Sequence, residues 1–174
     1  KVGSDYSQTS GTLTFSPGET SKTIMVSTID DAVDENDGET FFVTLVNPVN
    51  ATTGVEQGTG SIDDNDGPPS ITINNAAVFE GNTGSVNAVF TVTLNAASGK
   101  TVMVDFATAN GTASAGSDYT AGTGTVTFAV GDVEETVEVT VTGDTTTENN
   151  ETLSVKLSSP TNAFIQNELG TGTI

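Results

Sequence analysis

The acidic residues of this chain concentrate in a few loops. The sequence has 23 aspartates and glutamates against four lysines and no arginine, a net charge of −19. The acids crowd segments 30–39 and 63–66, whereas several valine- and threonine-rich stretches carry almost none. Clustered carboxylates repel one another unless a cation lies among them. Ca²⁺ accepts roughly six to eight oxygen ligands in irregular geometry, so these loops predict calcium binding. The alternative is that Asp, Asn and Gly simply form solvated turns.

Several other chemistries are excluded by composition. The chain contains no cysteine and no histidine, which removes thiol catalysis, Ser-His-Asp chemistry and zinc sites built from those residues. Paired carboxylates could serve a glycosidase, but there is no tryptophan to form a sugar platform, and we expect no enzyme. The acidic surface predicts no nucleic-acid partner. No apolar run reaches membrane-spanning length, so no membrane insertion is expected.

The sequence repeats itself at a distance of about 112 residues. The matched segments are Gly3–Tyr6 with Gly116–Tyr119, 39–51 with 151–163, and 58–62 with 170–174. A period this long indicates tandem copies of one domain. We predict the C-terminal part of a first copy at 1–66, a Gly-Pro-Pro linker at 67–69 and a nearly complete second copy at 70–174. The chain would then be a window on a longer array, or its first copy would take strands from a neighbouring molecule.

The strand pattern predicts an all-β fold. Segments 86–96, 100–109, 124–131, 133–143 and 151–157 alternate apolar and polar residues between turn signals, which is typical of tandem antiparallel, immunoglobulin-like β-sandwiches. The residues expected to face inward in the second copy are Ala88, Phe90, Val92, Leu94, Val102, Val104, Phe106, Val126, Phe128, Val137, Val139, Val141, Leu153, Val155 and Leu157. Their first-copy counterparts are Leu13, Phe15, Ile24, Val26, Phe41, Val43 and Leu45.

These strands would bring the acids of the first copy to one end of the sandwich. A strand at 23–29 ends at Asp30 and is followed by a strand at 39–45. The strand at 58–62 would run antiparallel to 39–45 and deliver the following acids to the same end. Asp5 precedes a strand at 11–15 that would pair with 23–29. Separate pieces of chain therefore converge on one acidic pole.

The chain resembles the Calx-β domain family. Four motifs carry the resemblance: SDY at 4–6, the strand sequence GTLTFSPGETSKTIMV at 11–26, the acidic loop at 30–39, and GTGSI at 58–62 followed by acids. The family includes the calcium-binding domains of sodium/calcium exchangers and repeats of bacterial surface proteins. The resemblance implies Ca²⁺ ligands in both copies. In the first copy they are Asp5, Asp30, Asp31, Glu35, Glu39, Asp64, Asn65, Asp66 and the carbonyl of Val33. In the second copy they are Glu80, Asp118, Asp144, Glu148 and Glu151, with Gly143 in place of the first Asp of the pair.

Together these features predict a calcium-binding structural repeat that folds and stiffens an extracellular multidomain array. We expect this array at the surface of a bacterial cell or secreted from it, with a role in adhesion or surface architecture. Its expected partners are neighbouring repeats of the same polypeptide. Three alternatives remain open. The chain could be a fibre subunit in which identical copies complement each other's strands, a stalk that binds a cell-surface protein or glycan without calcium, or an intracellular calcium sensor.

Overall fold

The computed structural model describes all residues, Lys1–Ile174, and the chain is all-β, as the sequence predicts. It divides into two compact units, which we call the first unit (residues 1–32 and 36–65) and the second unit (33–35 and 66–174). No helix has the length and apolar character needed to cross a membrane. The predicted domain limits, with a linker at 67–69, remain a prediction.

The second unit contains two sheets. Its strands are β3 (Ser70–Ile73), β4 (Ala76–Ala77), β5 (Ser85–Leu94), β6 (Val102–Asn110), β7 (Thr123–Phe128), β8 (Glu134–Thr142), β9 (Thr152–Thr161), β10 (Phe164–Ile165) and β11 (Leu169–Thr173). One sheet has the order β10-β3-β5-β8 and the other the order β4-β11-β9-β6-β7. The long pairs are antiparallel, and only the short β10–β3 and β11–β4 pairs are parallel. The period-2 alternation of these strands places one face of each sheet in the core.

The core of the second unit is the one that the alternation predicts. Of the predicted inward residues, all are buried except Phe106, which is half-buried and packs against the core. A register shift between Met103 and Asp105 interrupts the ladder just before Phe106. The extra residue lies in β9, because β6 pairs with β7 without interruption from Val102 to Ala107, so Phe106 keeps the face of Val104. Ile71, Ile73, Ala113 and Tyr119 join the core as well.

The first unit forms a single two-stranded sheet. Its strands β1 (Glu39–Thr44) and β2 (Gln57–Ile62) are antiparallel, with Glu39 opposite Ile62 and Thr44 opposite Gln57. This pair corresponds to β9 and β11 of the second unit. The prediction that 58–62 runs antiparallel to 39–45 is therefore confirmed.

The predicted strands at 11–15 and 23–29 are wrong. Neither segment forms a strand, although Tyr6 makes an isolated antiparallel bridge to Thr28. Their counterparts β7 and β8 pair with β6 and β5. Residues 1–65 contain no counterparts of β5 and β6, and a strand without a ladder partner leaves its backbone groups unpaired.

The predicted first-copy core is wrong for the same reason. Phe15 is 51% exposed and Leu45 is 42% exposed, and Leu13 and Ile24 are exposed too. Val26, Phe41 and Val43 are only half-buried. These side chains have the correct sequence pattern, but no second sheet lies over them within the first unit. Alternation predicts a face, whereas burial needs an opposing layer.

Candidate metal centre

Five acids of the second repeat meet at one end of its sandwich. Glu80 lies between β4 and β5, Asp118 between β6 and β7, and Asp144, Glu148 and Glu151 between β8 and β9. Carboxylate oxygens of Asp118, Glu148 and Glu151 lie within 4.8 Å of one another. The negative charges of Asp144 and Glu80 also raise the pKa of Glu148. We call these five residues the second acidic cluster, and they are the five that the resemblance implies.

Backbone hydrogen bonds fix Asp118 in this cluster. The backbone N–H of Ser114 donates to Oδ2 of Asp118 at 2.7 Å, and the carbonyl of Asp118 accepts from Thr142 N–H at 2.9 Å. The loop is thus tied to the last residue of β8. The hydrogen bond from Ser114, followed by one from Ser117, lowers the pKa of Asp118. Asp118 therefore stays ionised and can act as a fixed ligand.

The pKa values of Glu148 and Glu151 shift in the opposite direction to that of Asp118. Partial desolvation, and then the negative charges of Asp118, Asp144 and Glu80, raise the pKa of Glu148. A hydrogen bond with Asp118, followed by desolvation and neighbouring charges, raises the pKa of Glu151. The crowded carboxylates thus disfavour their own ionisation, which a bound cation would reverse.

Glu151 is held in place by β-sheet pairing. Its backbone N–H donates to the carbonyl of Ile174 at 3.0 Å, and Ile174 N–H donates back at 2.9 Å. Glu39 is paired with Ile62 in the first repeat, which is the equivalent position. Both glutamates therefore stand where the last strand of their repeat ends.

Gly143 lies under the loop that carries Glu80. A Cβ at Gly143 would lie 2.6 Å from the carbonyl oxygen of Glu80 and 2.8 Å from that of Gly81. Its N–H also donates to the carbonyl of Gly84 at 3.0 Å. The second repeat therefore has no space for the aspartate that the first repeat carries as Asp30.

The first unit brings together some of the acids predicted for the first repeat. Asp5 is buried, and its backbone N–H donates to the carbonyl of Lys1 at 2.9 Å. Asn65 Nδ2 donates to Oδ1 of Asp30 at 3.4 Å. Of the predicted ligands of the first repeat, Asp30 and Asn65 are thus in direct contact.

The remaining predicted residues are divided between the units. Asp31 is exposed and Asp64 half-buried in the first unit, whereas Val33, Glu35 and Asp66 are half-buried in the second. That the first-repeat and second-repeat residues ligate a metal remains a prediction.

Sequence reasoning missed the role of Asp34. This buried aspartate accepts from Nζ of Lys100 at 3.0 Å, and its backbone carbonyl accepts from Gly99 N–H at 3.0 Å. The segment 33–35 is fixed to the turn between β5 and β6 by these contacts. One available signal was that Lys100 is one of only four basic residues in an acidic chain.

The donor set of the second acidic cluster suits a hard divalent cation. It offers only oxygen ligands, from separate loops whose backbones are anchored by strands. Calcium accepts this irregular arrangement, whereas magnesium demands near-octahedral geometry and retains water.

Comparison with known proteins agrees with this description. The family model for the Calx-beta domain matches residues 1–66 and 63–171. Sodium/calcium exchanger 1 of Canis lupus familiaris is 30% identical in an alignment that covers 99% of this chain and 20% of the exchanger. Sodium/calcium exchanger 2 of Rattus norvegicus is 53% identical over 47 residues, 27% of this chain and 5% of the exchanger. The chain thus spans a fifth or less of these relatives.

Solved structures show the same fold. The apo-form Calx CBD1 domain matches with a TM-score of 0.53 and 22% identity, covering 62% of this chain and 96% of that one. The calcium binding domain CBD12 of CALX1.1 matches with a TM-score of 0.53 and 24% identity, covering 60% of this chain and 44% of that one. The sequence prediction of Ca²⁺ is thus confirmed at the level of the family.

One prediction is overturned by these relatives. The extracellular, cell-surface or secreted location is wrong, because the curated relatives named here are sodium/calcium exchangers and none is a secreted repeat protein. That location was expected from the resemblance to repeats of bacterial surface proteins. The two family matches, the all-β fold and the paired acidic loops lead to one assignment: the chain belongs to the Calx-beta domain family.

Proposed function

We propose that this chain binds Ca²⁺ through its acidic loops and that the bound ion stabilises the folded repeat. The observation that carries the proposal is the convergence of Asp118, Glu148 and Glu151 within 4.8 Å. Glu80 and Asp144 add further charge to the same place. The family match and the calcium binding domain among the similar structures support the choice of ion. The proposed role is binding, with no catalytic step.

The first repeat contributes a second proposed site. Its proposed ligands are Asp5, Asp30, Asp31, Glu35, Glu39, Asp64, Asn65, Asp66 and the carbonyl of Val33. The proposal is supported by the burial of Asp5 and by the contact of Asp30 with Asn65.

The mechanism is linkage between binding and folding. Calcium binds the assembled loops and not the unfolded chain, so it stabilises the fold by about 2.7 kcal/mol at a hundredfold excess over Kd. Because the acids lie at strand ends, the bound ion also stabilises the strands that carry them. We further propose that the ion restricts motion at the junction 67–69, where two prolines already limit the backbone. Neighbouring repeats of the same polypeptide are the proposed partners.

A second candidate function is calcium sensing within a larger protein. The similarity to sodium/calcium exchangers along nearly the whole chain favours it. In that case calcium would change how the two repeats move, and a doubly labelled chain would show a calcium-dependent distance change. A purely structural role predicts stabilisation without a change in that distance.

Calorimetric titration tests the main proposal. Wild-type chain should bind Ca²⁺ and respond weakly to Mg²⁺. Glu148→Gln with Glu151→Gln should remove binding at the second repeat, because both changes delete charge from the cluster. The matched control is Glu134→Gln with Glu135→Gln, since these residues begin β8, at the opposite end from Asp144. Equal titrations for the two double variants would show that the cluster does not bind the ion.

A further inference from the structure

Two acids of the second acidic cluster come from distant parts of the chain. Asp118 lies between β6 and β7, whereas Glu151 immediately precedes β9. Their carboxylate oxygens nevertheless lie within 4.8 Å of each other. Neighbouring carboxylates repel, so a metal site made from them needs other contacts that hold its ligands in place before the ion arrives. The hydrogen bonds between the two segments show which residues supply those contacts.

The chain continues to pair with β9 beyond the last residue of β6. Glu151 exchanges hydrogen bonds with Ile174, so the backbone groups of the next residue, Thr152, face the side of β6. There the carbonyl of Thr152 accepts from Gly111 N–H at 3.1 Å and from Ala113 N–H at 2.9 Å. The first residues of the loop that leads to β7 are thus attached to the start of β9.

The side chain of Thr112 completes this attachment. Thr152 N–H donates to Oγ1 of Thr112 at 2.8 Å, where a regular ladder uses a backbone carbonyl. In return, Thr112 N–H donates to Oγ1 of Thr152 at 3.4 Å. Glycine precedes Thr112 because a Cβ at Gly111 would lie 2.4 Å from the carbonyl oxygen of Thr152. The hydroxyl of Thr112 therefore holds the residue that follows Glu151.

Asn110 closes the base of the loop that carries Asp118. Its Oδ1 accepts from Ala115 N–H at 3.0 Å and from the hydroxyl of Tyr119 at 2.7 Å. The ring of Tyr119 is buried in the core, so this contact fixes the loop to the sandwich. Asp118 lies between these two attachment points along the chain, and its Oδ2 accepts from Ser114 N–H at 2.7 Å.

We propose that Thr112 and Asn110 are positioning residues of the calcium site in the second repeat. This inference rests on the proposed calcium binding. Both side chains are uncharged and lie outside the second acidic cluster, so they act on the ion through Asp118 and Glu151. Thr112 holds the loop against the start of β9, and Asn110 holds the loop closed. Together they keep two carboxylates close that would otherwise move apart.

Hydrogen exchange in chelator tests the two contacts without any metal. Nuclear magnetic resonance of the full chain should show slow exchange of the Thr152 amide in wild type. Exchange should be faster in Thr112→Val, which keeps a β-branched side chain but lacks the acceptor. Thr112→Ser keeps the hydroxyl and should restore slow exchange. Asn110→Ala should speed the exchange of the Ala115 amide in the same way.

Titration of the same samples with Ca²⁺ tests the positioning role. The amide signals of Asp118 and Glu151 report the affinity of this site alone. Thr112→Val and Asn110→Ala should each raise Kd about tenfold or more, the usual cost of removing partners that orient metal ligands. Thr112→Ser should bind as wild type does.

The matched control is Ser70→Ala. It deletes a hydrogen bond of 3.1 Å from the hydroxyl of Ser70 to Gln166, at the start of β3. Ser70 lies beside the end of β5, whereas Glu80 precedes the start of β5. Ser70→Ala should therefore lower the melting temperature and leave Kd unchanged.

The contrary outcomes are distinct. Slow exchange of the Thr152 amide in Thr112→Val would show that the hydroxyl does not hold β9. Fast exchange with an unchanged Kd would show that the contacts are structural only, and the positioning role would be overturned while calcium binding stands. Amides of Asp118 and Glu151 that do not respond to Ca²⁺ in wild type would overturn the proposed function itself, and the positioning role with it.

Discussion

The two repeats share their loop structure but not their sheets. In the first, Ile29 N–H donates to Asp5 O and Ser7 N–H to Ser27 O, each at 2.9 Å. In the second, Thr142 N–H donates to Asp118 O at 2.9 Å and Thr120 N–H to Thr140 O at 2.8 Å. Yet the first repeat has two strands and an exposed apolar face, whereas the second has two sheets and a buried core.

This difference separates local from long-range causes. The turn around the Ser-Asp-Tyr motif is set by nearby residues, since Asp5 N–H donates to Lys1 O and Asp118 N–H to Ser114 O. The turn therefore forms in both repeats. Strands β7 and β8 depend on β6 and β5, so their counterparts at 11–15 and 23–29 do not form without them. The turn that carries Asp5 thus has the same hydrogen bonds as the turn that carries Asp118, although the strands around it differ.

The largest expected effect concerns the matched phenylalanines Phe15 and Phe128. Phe128→Ala should lower the free energy of unfolding by about 3–5 kcal/mol, because the fully buried ring leaves a cavity. Phe15→Ala should cost less than about 1 kcal/mol, because Phe15 is 51% exposed. Urea unfolding followed by circular dichroism measures both. Similar losses would mean that the first unit buries Phe15 in solution, and the contrast between repeats would fail.

The second largest expected effect is the stabilisation of the second repeat by Ca²⁺. Saturating Ca²⁺ should raise the stability of the second repeat by about 2.7 kcal/mol at a hundredfold excess over Kd. Asp118→Asn should remove most of this gain, since the amide has an oxygen for the Ser114 hydrogen bond but lacks the charge. Differential scanning calorimetry with Ca²⁺ and with chelator provides the measurement. Asp105→Asn is the control, because Asp105 binds Thr125 in the β6–β7 pair and is not one of the clustered acids. A calcium shift that survives in Asp118→Asn would place the ion elsewhere.

The same distinction between local and long-range causes decides which features of the fold the sequence predicts. Alternation predicts β5 to β9 and nearly all of the second core, because each of those strands has a partner within the second unit. It fails for 11–15, 23–29 and the side chains of Phe15 and Leu45, because burial depends on a layer that periodicity does not reveal.

For the candidate site, residue type and order predict which loops converge in the second repeat. They do not predict the contact between Asp34 and Lys100, or that the Glu80 loop closes over Gly143. Those two features depend on how distant segments pack, and no local pattern carries that information.

Single substitutions at the matched positions Gly143 and Asp30 compare the two acidic loops. Gly143→Asp should destabilise the chain by about 1–3 kcal/mol, because a Cβ would lie 2.6 Å from the carbonyl oxygen of Glu80 and the carboxylate would add charge. Asp30→Gly should cost well under about 1 kcal/mol, since Asp30 is exposed and its contact with Asn65 is long. Thermal unfolding without calcium compares them. If Gly143→Asp were neutral and tightened calcium binding, the closed Glu80 loop would have to be open in solution.

The smallest expected effect is the pH dependence of the metal-free second repeat. The raised pKa values of Glu148 and Glu151 mean that the folded state holds protons that the unfolded chain has already released. Stability should therefore be highest below the ordinary pKa of glutamate and fall as pH rises through the raised values. The lowered pKa of Asp118 acts in the opposite sense at lower pH.

The fall should be modest because solvent screens these exposed groups. Glu148→Gln with Glu151→Gln should flatten it in chelator, whereas Glu134→Gln with Glu135→Gln should leave it unchanged. Saturating calcium should also abolish it in wild type, because the ion favours the ionised carboxylates and draws their pKa values down. Melting curves across the acid range, in chelator and in calcium, distinguish these cases. A wild-type profile in chelator that matches the profile of Glu148→Gln with Glu151→Gln would show that these two carboxylates are not repelled by their neighbours, and the second acidic cluster would then lose its reason to bind a cation.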